Sequence, residues 1–343
     1  MTIAIRKGFD ISKGTLLVAV FAVAAFYIAD LPAVSAIRIS PLIVGIGLGI
    51  VFANTIRNII PQSMDSGIVF SAKQVLRLAI ILYGFRITFQ EIAAVGTEGL
   101  LVSIIMVATT FLIGMYVGTK LLGLDAETAM LTASGSAVCG AAAVLATESV
   151  VKPAEGHKSA VAVSTVVLFG TIAMFLYPFL YTLDFLGLDA GAFGIYVGGT
   201  VHEVAQVIAV GGAVGEEAAA NSALIVKMTR VMLIAPFLLV IGVWLSRRSK
   251  GDGQNQLKLV IPWFALGFVL MAGVNSLHIV PQVVVDNIIL LDTFLLTMAM
   301  AALGMETRIS KLKDLGLAPL YLALALFVWL LIGGFAVTKA IVA

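Results

Sequence analysis

Apolar runs about 20 residues long recur from one end of this chain to the other, the length a helix needs to cross a bilayer. Inside hydrocarbon every backbone N–H and C=O needs a partner within the protein, so each run is read as a helix. Of the 343 residues, 61% are hydrophobic and 12% charged, where soluble domains run near ~25% charged. The expected fold is all-α: a polytopic membrane protein of about 9–11 helical spans. The longest polar stretch, Ser246–Leu257, leaves no room for a soluble domain. Residues 1–343 are therefore read as one integral membrane domain, with approximate inverted halves around 1–155 and 156–343.

The spans are placed at Thr15–Ala29, Pro41–Ala53, Gly67–Phe85, Leu100–Leu122, Ala160–Leu183, Ala218–Leu245, Leu257–Val274, Val283–Leu303 and Ala318–Val342. Positive residues mark the cytoplasmic ends: Arg6, Lys7 and Lys13, then Arg247, Arg248, Lys250 and Lys258, then Arg308, Lys311 and Lys313. That bias puts the N-terminus in the cytoplasm and the C-terminus in the periplasm. No small-residue cleavage site follows the first apolar run, which is read as an uncleaved span. Lys73 and Arg77 share one face of the third span and are expected to snorkel. A net charge of +2, scattered along the chain, gives no footing for nucleic acid. Cys139 is the only cysteine, so no internal disulfide or thiolate cluster forms. The three histidines lack ligand-like spacing, and no metal site or organic cofactor is expected. The partners are the lipid bilayer and a small ligand; the sequence leaves a homodimer open.

Two segments break the apolar pattern. Gly198–Gly215, GGTVHEVAQVIAVGGAVG, holds His202, Glu203 and Gln206 within two helical turns, between glycine pairs. A charge at mid-membrane costs roughly 2.5–3.5 kcal/mol on insertion scales, so such a cluster marks either a satisfied internal pair or a working site. Asp125–Val151 is built of Ser, Gly and Ala around Ser134, Gly135, Ser136 and Gly140. Small residues serve close helix packing; they also let a helix break and bare its backbone. Both segments either cross the membrane or enter and return on one side, and the charge rule fits either course.

Internal similarity accompanies these breaks. Gly84–Gly96 resembles Gly304–Gly316, and Gly135–Val144 (GSAVCGAAAV) resembles Gly199–Ile208 (GTVHEVAQVI). Glycine-interrupted segments at corresponding places of inverted repeats are the pattern of secondary transporters. Half-helix N-termini present unpaired N–H groups and about half a positive charge. Two such starts, expected near Ser134–Ser136 and near Gly198, Gly199 and Thr200, would hold a small oxyanion or carboxylate. His202, Glu203 and Gln206 would couple its movement to H+ or Na+. Lys227 and Arg230, on one face of the next span, would pair with Glu203 or attract the anion. Asp286 and Asp292 are lesser coupling candidates.

The phrases SGSAVCGAAAVLAT (Ser134–Thr147), GGTVHEVAQVIAVG (Gly198–Gly211) and ILYGFRITFQEI resemble those of the YeiH-type family, whose members carry the label of sulfate exporters. The resemblance runs over nearly the whole chain. It implies a bacterial inner-membrane carrier with inverted repeats, working as an elevator, for sulfate or a related sulfite, organosulfonate or carboxylate. The rivals are an anion channel and an intramembrane enzyme using Ser134 or Cys139 with His202. No ring of charges suggests a filter, and no G-x-x-x-x-G-K loop suggests ATP-driven transport.

Overall fold

The computed structural model describes residues 2–31, 34, 40–153, 157–248, 263–308 and 316–342. Lys250, Lys258, Lys311 and Lys313, used above for orientation, lie outside the described residues. The described chain is helical, with no strand. Its helices are α1 (Thr2–Ala29), α2 (Pro41–Thr55), α3 (Gln62–Arg86), α4 (Phe89–Leu121), α5 (Ala126–Ala137), α6 (Ala141–Val151), α7 (His157–Thr182), α8 (Ala190–Thr200), α9 (Val204–Val214), α10 (Glu217–Leu245), α11 (Trp263–Ser276), α12 (Gln282–Glu306) and α13 (Leu317–Val342). Seven are long and apolar enough to cross a membrane: α1 from Asp10, α3, α4, α7, α10, α12 and α13. The shorter apolar helices α2 and α11 bring the candidate spans among the described residues to nine, the low end of the expected range.

Contacts divide the chain into two compact units, neither of them a continuous half. The first takes residues Met1–Glu91 and Trp263–Ser310. Its core joins Val18 and Ala22 of α1, Phe52 of α2, Ile68 and Val75 of α3, and Met298, Ala301 and Met305 of α12. Small residues set the spacing: Gly49 of α2 lies against Ala301 and Gly304, and Gly14 of α1 against Gly67. Backbones can approach this closely only without side chains between them. In this unit Arg86 holds Asp292 at 2.9 Å and also donates to Ile289 O and Thr293. Asp292 is thereby a paired internal charge. Lys73 and Arg77 are exposed, as snorkelling requires.

The second unit takes Ile92–Pro262 and Lys311–Ala343 and contains both broken segments. Here the question of crossing or returning is decided by two contacts. Asp125 caps the start of α5 and binds Lys158, at the start of α7, at 3.0 Å. A straight path through α5 and α6 would carry the chain about 34 Å away, at 1.5 Å per residue, and the few residues before Lys158 could not return it. So α5 and α6 form a hairpin that comes back to its entry. Lys158 also bonds Glu127 at 2.8 Å, tying the hairpin mouth to α7. Burial alone would raise the Asp125 carboxyl, but bonds from the Thr128 hydroxyl and N–H and from Lys158 outweigh it and hold it below the usual range.

The second segment closes in the same way. Tyr181, near the end of α7, donates to Glu216, just past α9, at 2.8 Å. Along α10, Gly194 of α8 lies against Ala219 and Ser222, and Gly198 against Ala223 and Val226, so α8 runs with α10. Gly211 of α9 lies against Ala220 near the α10 start, so α9 runs the other way. Helix α7 is about 39 Å long. One hairpin opens at its first end and the other at its last, and both tips reach its middle. Val166 touches Gly140, and Gly170 lies against the Gln206 amide.

The two mouths share a sequence. Leu122–Ala126 and Leu186–Ala190 both read LGLDA. In each, the Gly turns the chain with positive φ (66° at Gly123, 57° at Gly187), and the Asp caps the next helix. Single cysteines at Gly123 and Lys152, in a Cys139→Ser background, are expected to react with an impermeant maleimide from one side of the membrane. Cysteines at Gly187 and Gly215 should react from the other. Labelling of Gly123 and Lys152 from opposite sides would make α5–α6 a crossing.

Candidate functional site

Each hairpin tip is a short break between half-helices: Val138, Cys139 and Gly140 in the first, Val201, His202 and Glu203 in the second. A helix end leaves its last carbonyls without intrahelical partners and carries a partial negative charge. Here α5 and α8 both end deep in the unit, and two cations of α10 serve them. Lys227 Nζ donates to Val138 O at 3.1 Å and to Val201 O at 2.7 Å, one carbonyl from each tip. Arg230 donates to Gly198 O at 3.2 Å, to Ser136 O at 3.3 Å, and to Ala137 O. Both side chains are 0% exposed, so neither reaches for an interface.

The other two half-helices begin at this place. Glu203 of the second tip crosses to the first, where its Oε1 accepts from Ala141 N–H at 3.3 Å. It is also the N-cap residue of its own helix, α9, in a capping box with Gln206. Glu203 N–H donates to Gln206 Oε1 at 3.1 Å. One carboxylate thus faces two helix N-termini, the arrangement by which helices hold anions. Three buried polar atoms nearby have no hydrogen-bond partner among the described residues: His202 Nδ1, Gln206 Nε2 and Arg230 Nε. The His202 ring lies 6.5 Å from that of Phe327 on α13.

The expected helix starts need a correction. Ser134, Gly135 and Ser136 lie in the last turns of α5, and Gly198, Gly199 and Thr200 in those of α8. Serine and threonine do not force a break, because their hydroxyls bond back to the carbonyl four residues earlier. Ser134 does so to Met130 O at 2.7 Å and Thr200 to Tyr196 O at 2.6 Å. The helix that begins in the first tip starts after Gly140, whose φ of 77° and ψ of −138° suit glycine alone. The structure does gather Gly140, His202, Glu203, Gln206, Lys227 and Arg230 at one point. Sequence reasoning missed the LGLDA pair that caps both mouths, although a repeated pentapeptide ending in Asp was there to be found. It also missed Gly170, which has no neighbouring signal, and the stacked Tyr177–Tyr196 pair with ring centroids 4.9 Å apart.

Two hairpins entering from opposite ends and meeting at buried charges define a polytopic, transporter-like membrane protein. The chain belongs to the family described as Conserved hypothetical protein 698, whose model matches residues 13–323. It is 50% identical over 332 residues to a UPF0324 membrane protein of Bordetella pertussis, covering 96% of this chain and 95% of that one. It is 50% identical over 330 residues to a UPF0324 membrane protein of Pseudomonas putida, covering 96% and 93%. It is 48% identical over 328 residues to the UPF0324 inner membrane protein YeiH of Escherichia coli, covering 96% and 93%. No solved structure gives a significant match.

Proposed function

We propose that this protein is a secondary carrier of a small anion, such as sulfate, sulfite, an organosulfonate or a short carboxylate, in the bacterial inner membrane. The observation that carries this reading is the convergence of two hairpin tips at one mid-helix point, with two half-helix N-termini facing a single carboxylate. Lys227 and Arg230 add fixed positive charge beside them without being free to leave. Movement of the hairpin unit as one body would carry the ion, coupled to H+ or Na+, and export is the direction that the family resemblance suggests. We place the N-terminus in the cytoplasm and the C-terminus in the periplasm on the distribution of Lys and Arg.

An enzyme reading finds little support at the tips. The Ser134 hydroxyl donates to Met130 O, and His202 Nδ1 has no partner among the described residues, so no Ser134–Nδ1 pair is present. Purified protein in proteoliposomes should take up at least one labelled anion of the four classes above. The uptake should saturate and respond to an imposed pH or sodium gradient. Uptake that never saturates and ignores both gradients would make the protein a channel, and no uptake of any panel anion would overturn the anion reading.

A further inference from the structure

We propose, building on the carrier reading, that Glu203 is a tethered occupant of the anion site: its carboxylate holds the place of the transported oxyanion and leaves by taking a proton. One proton and one anion would then bind together and move together. The coupling ion is thereby H+, and the working cycle is symport, in which an inward proton gradient favours uptake; export, the direction that the resemblance suggests, would be driven by an outward gradient of the anion itself.

Four observations lead here. The Glu203 carboxylate reaches from one hairpin onto the N-terminus of the other, where a free oxyanion would be bound. Its bond to Ala141 N–H is 3.3 Å long, whereas charge-assisted bonds usually run about 2.7–2.9 Å; this link between the hairpins is the one to be exchanged, while the carboxylate keeps its capping-box bond to the Gln206 N–H of its own helix. Gln206 Nε2 and Arg230 Nε are buried N–H donors with no acceptor among the described residues. The Gln206 amide is the one whose oxygen takes the Glu203 N–H, so its unused donor lies beside Glu203 and against Gly170 of α7. Finally, Glu203 is only partly buried, so water and protons can reach it.

Competition for one helix N-terminus explains why a proton must accompany the anion. The groups around Glu203 are Lys227 on α10, Cys139 on the opposing tip and His202 beside it, with Arg230 three residues along α10 from Lys227; α7 offers Gly170 and Val166, which carry no charge. The Ala141 N–H that would hold the anion is already taken by the Glu203 carboxylate, so an entering anion must displace it. Protonation from the aqueous side removes the charge that docks Glu203 there and frees the helix N-terminus for the anion. When the anion departs, the proton returns to water and the carboxylate docks again on Ala141.

Glu203→Gln imitates the protonated acid and provides the test. The probes are sulfate, sulfite, ethanesulfonate and formate, measured by calorimetry on purified protein over a series of pH values. Wild-type affinity for the anion that binds should fall about tenfold per pH unit on the alkaline side, as linkage to one proton requires. Glu203→Gln should bind the same anion with an affinity that does not change with pH. In proteoliposomes it should exchange labelled for unlabelled anion but not accumulate it when a proton gradient is imposed. Infrared difference spectra of the wild-type protein should gain a protonated-carboxyl band on anion binding, which needs no variant to fold and which a mere helix cap would not produce. Glu203→Asp, too short to reach Ala141, should bind the anion more tightly than wild type at neutral pH. If Glu203→Gln keeps the wild-type pH dependence, His202 or another group carries the proton and the tether is wrong. If wild type gains no carboxyl band on binding, it is wrong as well. If none of the four anions binds wild type at any pH, the carrier reading beneath it fails instead.

Discussion

Arg230→Met should lower the stability of the protein by about 3–5 kcal/mol, the loss seen when one partner of a buried charge interaction is removed. Methionine keeps the length of the side chain and its apolar stem but offers no donor. Three carbonyls at the ends of α5 and α8 would lose a charged partner at once. Each such bond is worth about 1.5–3 kcal/mol, and losses at one site do not add in full. In a unit of this size the thermal midpoint should drop by roughly 6–20 °C. Differential scanning fluorimetry in detergent reads this directly. Arg77→Met, the same change at an exposed position, should stay within about 0.5 kcal/mol of the parent. Arg230→Lys should fall between, because a compact ammonium lacks the planar fork that spreads donors over the carbonyls of both helix ends. A midpoint for Arg230→Met close to that of Arg77→Met would mean that Arg230 does not hold the helix ends together.

Gly140→Ala should cut transport about tenfold or more, the effect of roughly 1.4 kcal/mol at the site. The backbone at Gly140 lies where residues with a Cβ are strained by about 1–3 kcal/mol. That Cβ would also lie 3.1 Å from Glu203 Oε1 and closer still to Glu203 Cγ. The carboxylate would be pushed from Ala141, and the two tips would no longer meet as they do. Gly212→Ala is the control: a Cβ there meets nothing within 4 Å, and alanine in a helix is if anything better than glycine. Transport rates and melting temperatures measured side by side separate the two positions. If Gly140→Ala transports as well as Gly212→Ala, the close approach of the tips is not needed for function.

The spans were legible because burial in lipid leaves a long, one-sided signal: Pro41, Leu121 and Leu245 bound helices close to where hydropathy put them. The polar cluster was legible for the opposite reason, since His202, Glu203 and Gln206 are too costly in hydrocarbon to be there without a partner. The place of the breaks was not. Ser134–Ser136 looked like a break because these residues are small and polar, but side-chain bonds to the preceding turn let such residues continue a helix. The break fell instead at Gly140, where the backbone takes a glycine-only conformation. Whether the segments crossed or returned was also hidden, because both courses leave every later loop on the same side. Only contacts distant in sequence, Asp125 with Lys158 and Tyr181 with Glu216, decide it. Asp292 was similarly opaque, since its partner Arg86 is 206 residues away.

Lys227 grips one carbonyl from each tip, and this has a mechanical consequence. A hairpin that swung open by itself, as a door does on its frame, would pull its carbonyl from the ammonium. The ammonium would then sit half-solvated in a dry interior, at a cost of about 1.5–3 kcal/mol for the lost bond before the desolvated charge is counted. The lysine is a rivet through two leaves. With it in place the leaves cannot act as separate doors, and in the carrier proposed above access to either side would alternate by displacement of the riveted pair as a single block.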